Sequence, residues 1–209
     1  MRTRYILAAV FGLSLASLNT PAFAQLGATG ELHVSGWSDP MLDADSEGDS
    51  INGVAELWWD KNWGIRSARR ESTFDALEDE SSEHLSIDLK RRFFSPLDQA
   101  YLALGAGWES IDLVDGESSS GLRLTAEGRF GLGDVFYLYG QTSWLPELDD
   151  TGTRSNLAGQ EFEAGFRYDP APSMSIRLGF RSFRLDYDQA GESNSTQSNG
   201  VILGAGFNW

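Results

Sequence analysis

Cysteine is absent from all 209 residues. The fold is therefore held together without disulfides, and no thiol is present to take a lipid anchor. Long apolar runs are also absent after the first two dozen residues, which excludes a bundle of membrane helices, since each such helix needs about 20 consecutive apolar residues. Basic residues are scarce: 16 Lys and Arg stand against 31 Asp and Glu, a net charge of −15. Nucleic acid is therefore excluded as a partner, because neutralising phosphates needs a basic face.

The N-terminus carries a different pattern. Arg2 and Arg4 precede an apolar run from Tyr5 to about Leu18, and Ala22-Phe23-Ala24 supplies the small-residue site of a signal-peptidase cut. Residues 1–24 are expected to be a cleaved secretory signal, leaving 25–209 as one domain. The last ten residues, from Gly200 to Trp209, set Val201, Leu203, Ala205, Phe207 and Trp209 against Ile202, Gly204, Gly206 and Asn208. Alternate side chains of a strand point to opposite faces, so this is one greasy face and one slim face ending in an aromatic. The stretch resembles the terminal strand of bacterial outer-membrane β-barrel proteins, with Trp209 where Phe is usual. The resemblance implies outer-membrane localisation, contact with membrane lipid and lipopolysaccharide, and an assembly signal in Phe207 and Trp209 read by the barrel-assembly machinery.

The same period of two recurs along the chain, and predicts strands over residues 30–38, 51–59, 63–73, 83–92, 99–111, 121–130, 135–145, 160–168, from 174 to about 182, and 200–209. Ten strands of this length suit an all-β, antiparallel, up-and-down transmembrane barrel, with eight or twelve strands as alternatives. Short turns alternate with five long polar loops, the last over residues 188–199. With both termini in the periplasm, the long loops face outward from the cell. Around Ser182 the alternation changes phase, and Trp37 and Trp58 fall on the face opposite the other tryptophans.

A membrane barrel turns its charges inward. The predicted inward set holds Glu31, Glu56, Asp88, Glu109, Glu127, Glu161 and Glu163 against Arg66, Arg70, Lys90, Arg123, Arg129, Arg167, Arg177 and Arg181. In a narrow lumen these form a charge-paired plug, and the chain reads as a structural or surface-interaction barrel. The alternative is a porin-like channel lined by the same charges. A third reading rests on His33-Val-Ser35 and His84-Leu-Ser86, each similar to the His-x-Ser pair of outer-membrane lipid A deacylases, although here both pairs fall on the inward face. The acidic pair and Asp-His dyad of the ten-stranded omptin proteases have no counterpart. Asp43, Asp45 and Glu47 begin like a calcium loop, but its twelfth position is Val54 and not Glu, which leaves a solvated acidic loop with room for divalent cations and no cofactor.

Overall fold

The computed structural model describes residues 28–38, 48–59, 62–74, 81–94, 100–113 and 116–209. The expected signal segment and its cut, the acidic residues Asp43, Asp45 and Glu47, and the acidic stretch from Asp75 to Glu80 lie outside them.

Ten antiparallel strands form the structure: β1 Thr29–Ser38, β2 Gly48–Trp58, β3 Trp63–Phe74, β4 Ser81–Phe94, β5 Ala100–Asp112, β6 Ser118–Gly131, β7 Phe136–Leu148, β8 Arg154–Ala171, β9 Met174–Gln189 and β10 Glu192–Asn208. Each pairs with the next, and β1 pairs with β10 to close the barrel. The seam runs from Glu31 opposite Asn208 to Ser38 opposite Val201. Beyond it, Gly30 and Trp209 exchange two backbone hydrogen bonds at 3.0 and 3.1 Å, so the start of β1 and the C-terminus sit at one rim, here the terminal end. The opposite rim is the loop end.

Alternation decides what each face holds. Leu85, Ile87 and Leu89 of β4 are each about half exposed outward, while Ser86, Asp88 and Lys90 between them are buried inward. The pattern repeats with Leu102, Leu104 and Trp108 on β5, Phe162 and Phe166 on β8, and Val201 and Leu203 on β10, giving an outer band of exposed apolar side chains. Arginines, lysine and carboxylates fill the interior. This inverts the arrangement of a water-soluble barrel and suits an apolar surrounding, in which a closed ladder leaves no backbone group unpaired. Trp59 and Trp63 mark the band near the terminal end, Trp108 and Trp144 near the loop end, the placement of interfacial aromatics.

Two expectations need correction. The polar stretch 188–199 is not a loop. β9 and β10 continue through it and meet in a two-residue turn, Ala190–Gly191, with φ of 54° and 84°. Two positive φ values suit the tight hairpin turn that matches strand twist, and Gly191 adopts its value freely. As a result, the connections do not alternate short and long without exception; β8, β9 and β10 rise past the end of β1 instead. The phase does not change at Ser182 either. Odd-numbered residues of β9 face inward throughout, so Phe183, Leu185 and Tyr187 continue the face of Arg177 and Arg181. Trp37 and Trp58, on the face opposite the other tryptophans, are accordingly lumen residues, 6% and 3% exposed.

At the loop end the inward face turns apolar. Ile111, Leu145, Leu148, Leu157, Phe183 and Leu185 form a buried cluster with Leu113 and Tyr187 against it. Bulges in β7 and β8 re-aim these side chains: the β7–β8 register shifts between Leu145 and Leu148, and that of β8–β9 between Ser155 and Ala158. Asn156, with φ of 54°, sits in the second bulge and donates through Nδ2 to Asp188 at 2.9 Å. Ser193 Oγ also donates to Asp188, at 2.6 Å, and these hydrogen bonds hold the Asp188 carboxyl below the usual carboxylate range.

Candidate functional site: a charge-packed lumen

Below the apolar cluster lies a central layer of charge. Arg123 on β6 is its hub. Its guanidinium pairs with Glu109, reaches Glu161 at 3.0 Å and Asp88 at 3.4 Å, and donates to Ser143 Oγ at 2.6 Å. Arg66 approaches Asp88 at 3.6 Å, and Arg181 pairs with Glu161. Among the described residues, neither Asp88 oxygen accepts a hydrogen bond, so Arg66 and Arg123 hold it by charge. Arg70 on β3 meets Glu161 on β8 at 3.6 Å. These strands are five apart either way round, so that pair crosses the full width of the barrel.

Both histidines fall inside. His84 Nδ1 lies 2.7 Å from an Arg70 nitrogen and 3.2 Å from Glu109 Oε1. Deprotonated, Nδ1 accepts from Arg70; protonated, it donates to Glu109. Phe183 meets the imidazole edge-on at 4.9 Å and lies 5.1 Å from the Arg70 guanidinium, joining the apolar cluster to the charges. Trp37 adds a ring 5.7 Å from Arg70 and 5.4 Å from Arg181. His33 is buried against the slim face of β10, where a Cβ on Gly204 would stand 2.5 Å from its Nε2. Among the described residues, neither histidine hydrogen-bonds the serine two positions on. Ser35 and Ser86 are themselves buried and inward, away from lipid.

A second layer lies toward the terminal end. Glu31 pairs with both Arg167 and Arg177, and Arg167 also holds Asp169 at 2.6 Å and Asn208 at 3.0 Å. Lys90 joins Glu56 at 2.7 Å to Glu127. Arg92 approaches Glu56 at 3.8 Å while stacking 3.6 Å from the Trp58 centroid and 4.1 Å from that of Tyr101. Arg129 makes no ion pair among the described residues; it lies between Tyr101 and Tyr137, at 5.5 and 4.6 Å. The expectation that a carboxylate holds it is therefore corrected. Glu163 lines a cavity of about 50 Å³ with Glu31, Glu56, Glu127 and Arg177. That is room for a few waters among polar walls.

The alternation did not single out Arg92, Asp169, Tyr101 or Ser143, although strand parity places them inward: Arg92 follows Asp88 and Lys90, and Asp169 follows Arg167. Parity also places Ile111, Leu145, Phe183 and Leu185 inward, with Glu109, Ser143 and Arg181, but their apolar character reads as outward. Among the described residues, no group of three or more His, Asp and Glu side chains is placed to hold a metal.

Chemically, the lumen is a set of mutually neutralising charges with the hub enclosed. Arg123, Lys90, Glu109 and Asp88 are each at most 2% exposed. Desolvating such groups is unfavourable, and only dense pairing offsets it.

No protein-family model matches the sequence, and no curated protein does. Among solved structures, the chain is similar to the outer-membrane protease OmpT from Escherichia coli, with TM-score 0.50 and 10% identity over 87% of this chain and 96% of that one. An outer-membrane channel from Pseudomonas putida F1 matches with TM-score 0.51 and 10% identity, over 87% of this chain and 94% of that one. Identity at this level carries the architecture alone. Its closed ten-strand barrel, apolar outside and charged within, gives this chain the fold of the bacterial outer-membrane β-barrels.

Proposed function

We propose that the chain is an outer-membrane barrel that does not conduct and acts through the structure it raises at the cell surface. The observation that carries this reading is the Arg70–Glu161 contact across the lumen, with the Arg123 hub beside it and the apolar cluster above. A solute path would have to break several enclosed ion pairs and then an apolar layer. The termini face the periplasm in this reading, where Phe207 and Trp209 serve as the assembly signal. The extended β8–β10 wall faces the medium. Asp150 and Glu192 stand there as solvated acids, suited to sharing divalent cations with lipopolysaccharide phosphates.

Planar-bilayer recording tests the reading: the refolded chain should show no stepwise current in molar salt. Steady single-channel steps would instead favour the charge-lined channel, with the cavity beside Glu163 as part of its path. Orientation has its own test. Single cysteines at Glu117, Thr151 and Ser193 should react with an impermeant thiol reagent on intact cells, and cysteines at Asn62 and Gly133 should not. Labelling of the second pair would invert the barrel.

A further inference from the structure

Outward-facing charges gather toward the loop end, where Arg69 meets Glu83 at 2.7 Å and Arg184 meets Asp186 at 2.8 Å. Arg91 is placed otherwise. It faces outward near the terminal end of β4, exposed, its guanidinium 5.5 Å from the Trp63 ring and 5.3 Å from that of Phe93. Among the described residues it has no carboxylate partner. An arginine at the edge of an apolar band needs an anion, and what the membrane offers at that depth is lipid phosphate.

Beside it the outer wall is recessed. Phe93 stands opposite Leu102, Leu102 opposite Gly128, Gly128 opposite Gly140, and Gly140 opposite Ala164. Phe93 is next to last in β4 whereas Ala164 is midway along β8, so this row climbs from the rim into the apolar band. Phe93, Leu102, Phe130 and Leu138 wall an open groove of about 580 Å³ along it, with Gly128 and Gly140 as floor.

Packing within the chain does not require these two glycines. A Cβ on Gly128 would sit 3.5 Å from Tyr101 O, and one on Gly140 3.8 Å from Glu163 O, both ordinary contacts. At inward Gly107 and Gly165 the same atom would stand 1.9 and 2.2 Å from backbone oxygens. A strand glycine free of internal crowding marks a place where something else approaches closely. Gly36 and Gly53 are also uncrowded and lie on the opposite wall, but the outward charge beside them, Arg69 opposite Gly53, is already paired with Glu83 at 2.7 Å.

We propose that Arg91 and this groove hold one anionic phospholipid of the leaflet at the terminal end, with its phosphate on the guanidinium and one acyl chain over Gly128 and Gly140. A net negative headgroup is favoured because no described outward carboxylate stands beside Arg91 to pair a headgroup ammonium. The site rests on the membrane reading above.

The test uses the full refolded chain in vesicles of equal phosphatidylglycerol and phosphatidylcholine, extracted in mild detergent and weighed by native mass spectrometry. Wild type should keep one phosphatidylglycerol in preference to phosphatidylcholine. Arg91→Gln should lower that retention about tenfold, the size of one lost charge-assisted contact. Gly140→Leu, whose Cβ meets an ordinary contact at 3.8 Å and whose branch would occupy the groove, should lower it too. Heat-modifiable migration of both variants shows intact barrels. Equal retention by wild type and both variants, or lipopolysaccharide displacing the phospholipid from Arg91, overturns the site while leaving the membrane reading intact. A wild-type chain that does not insert overturns both.

Discussion

Arg123→Ala is expected to lower the unfolding free energy of the barrel by about 3–5 kcal/mol, the cost of leaving a buried charge without its partner. Three carboxylates depend on this guanidinium, and Asp88 and Glu109 are among the most enclosed side chains of the structure. Water cannot replace the lost cation without opening the lumen. The measurement is urea unfolding in lipid vesicles followed by tryptophan fluorescence. Arg123→Ala with Glu109→Gln should recover part of the loss, because one of the stranded anions is then neutral. Arg129→Ala is the contrast: with its guanidinium on tyrosine rings and no described ion pair, it should lose only about 1 kcal/mol. Unchanged stability in Arg123→Ala, together with new ionic current, would mean that the lumen is wet and the non-conducting reading wrong.

Phe183→Ala should cost a comparable amount, about 3–5 kcal/mol, through the cavity left by a large buried ring. The ring touches His84 and Arg70 on one side and belongs to the apolar cluster on the other, so its removal uncouples the charged layer from the layer above. The loss should be local as well as global. Protease added to folded vesicles should cut the β9–β10 extension of the variant near residues 184–199 and leave wild type whole. Phe180→Ala is the control: its ring faces outward, 40% exposed, where lipid fills the space it leaves. Equal behaviour of the two variants would remove the cluster as the brace of the extension.

What could be read from the sequence followed contrast between the two faces of a strand. Phe162, Ala164, Phe166 and Tyr168 against Glu161, Glu163 and Arg167 fixes a face without further information, and so do Leu85, Ile87 and Leu89 against Ser86, Asp88 and Lys90. Where contrast fails, so does the reading. Residues 192–199 are polar on both faces and looked like loop, and Ala190–Gly191 lacks the Asn-Gly signature of a two-residue turn. Phe183, Leu185 and Tyr187 are apolar yet inward, which imitates a change of phase. Trp37 and Trp58 followed parity to the inner face, where their rings lie against interior cations. Parity placed the lumen charges on one side of the wall but could not pair them: whether Arg70 meets Glu161 depends on the stagger of strands five apart, and Arg129 proved to stack on tyrosines.

The seam between β1 and β10 has a consequence for how the molecule comes into being. Every other pairing joins neighbours in sequence, so nine hairpins can form by local search, whereas the tenth must bring the first and last strands together. Closing a loop of this length carries an entropy cost of roughly 4–5 kcal/mol from its length dependence alone. An unclosed sheet would also turn its charged face toward hydrocarbon. Arg70–Glu161 and Glu31–Arg167 link strands that are distant in the sheet and can form only as the cylinder shuts. Seam closure and charge neutralisation are therefore a single cooperative step, and a chain arrested just before it would be the species most exposed to quality-control proteolysis.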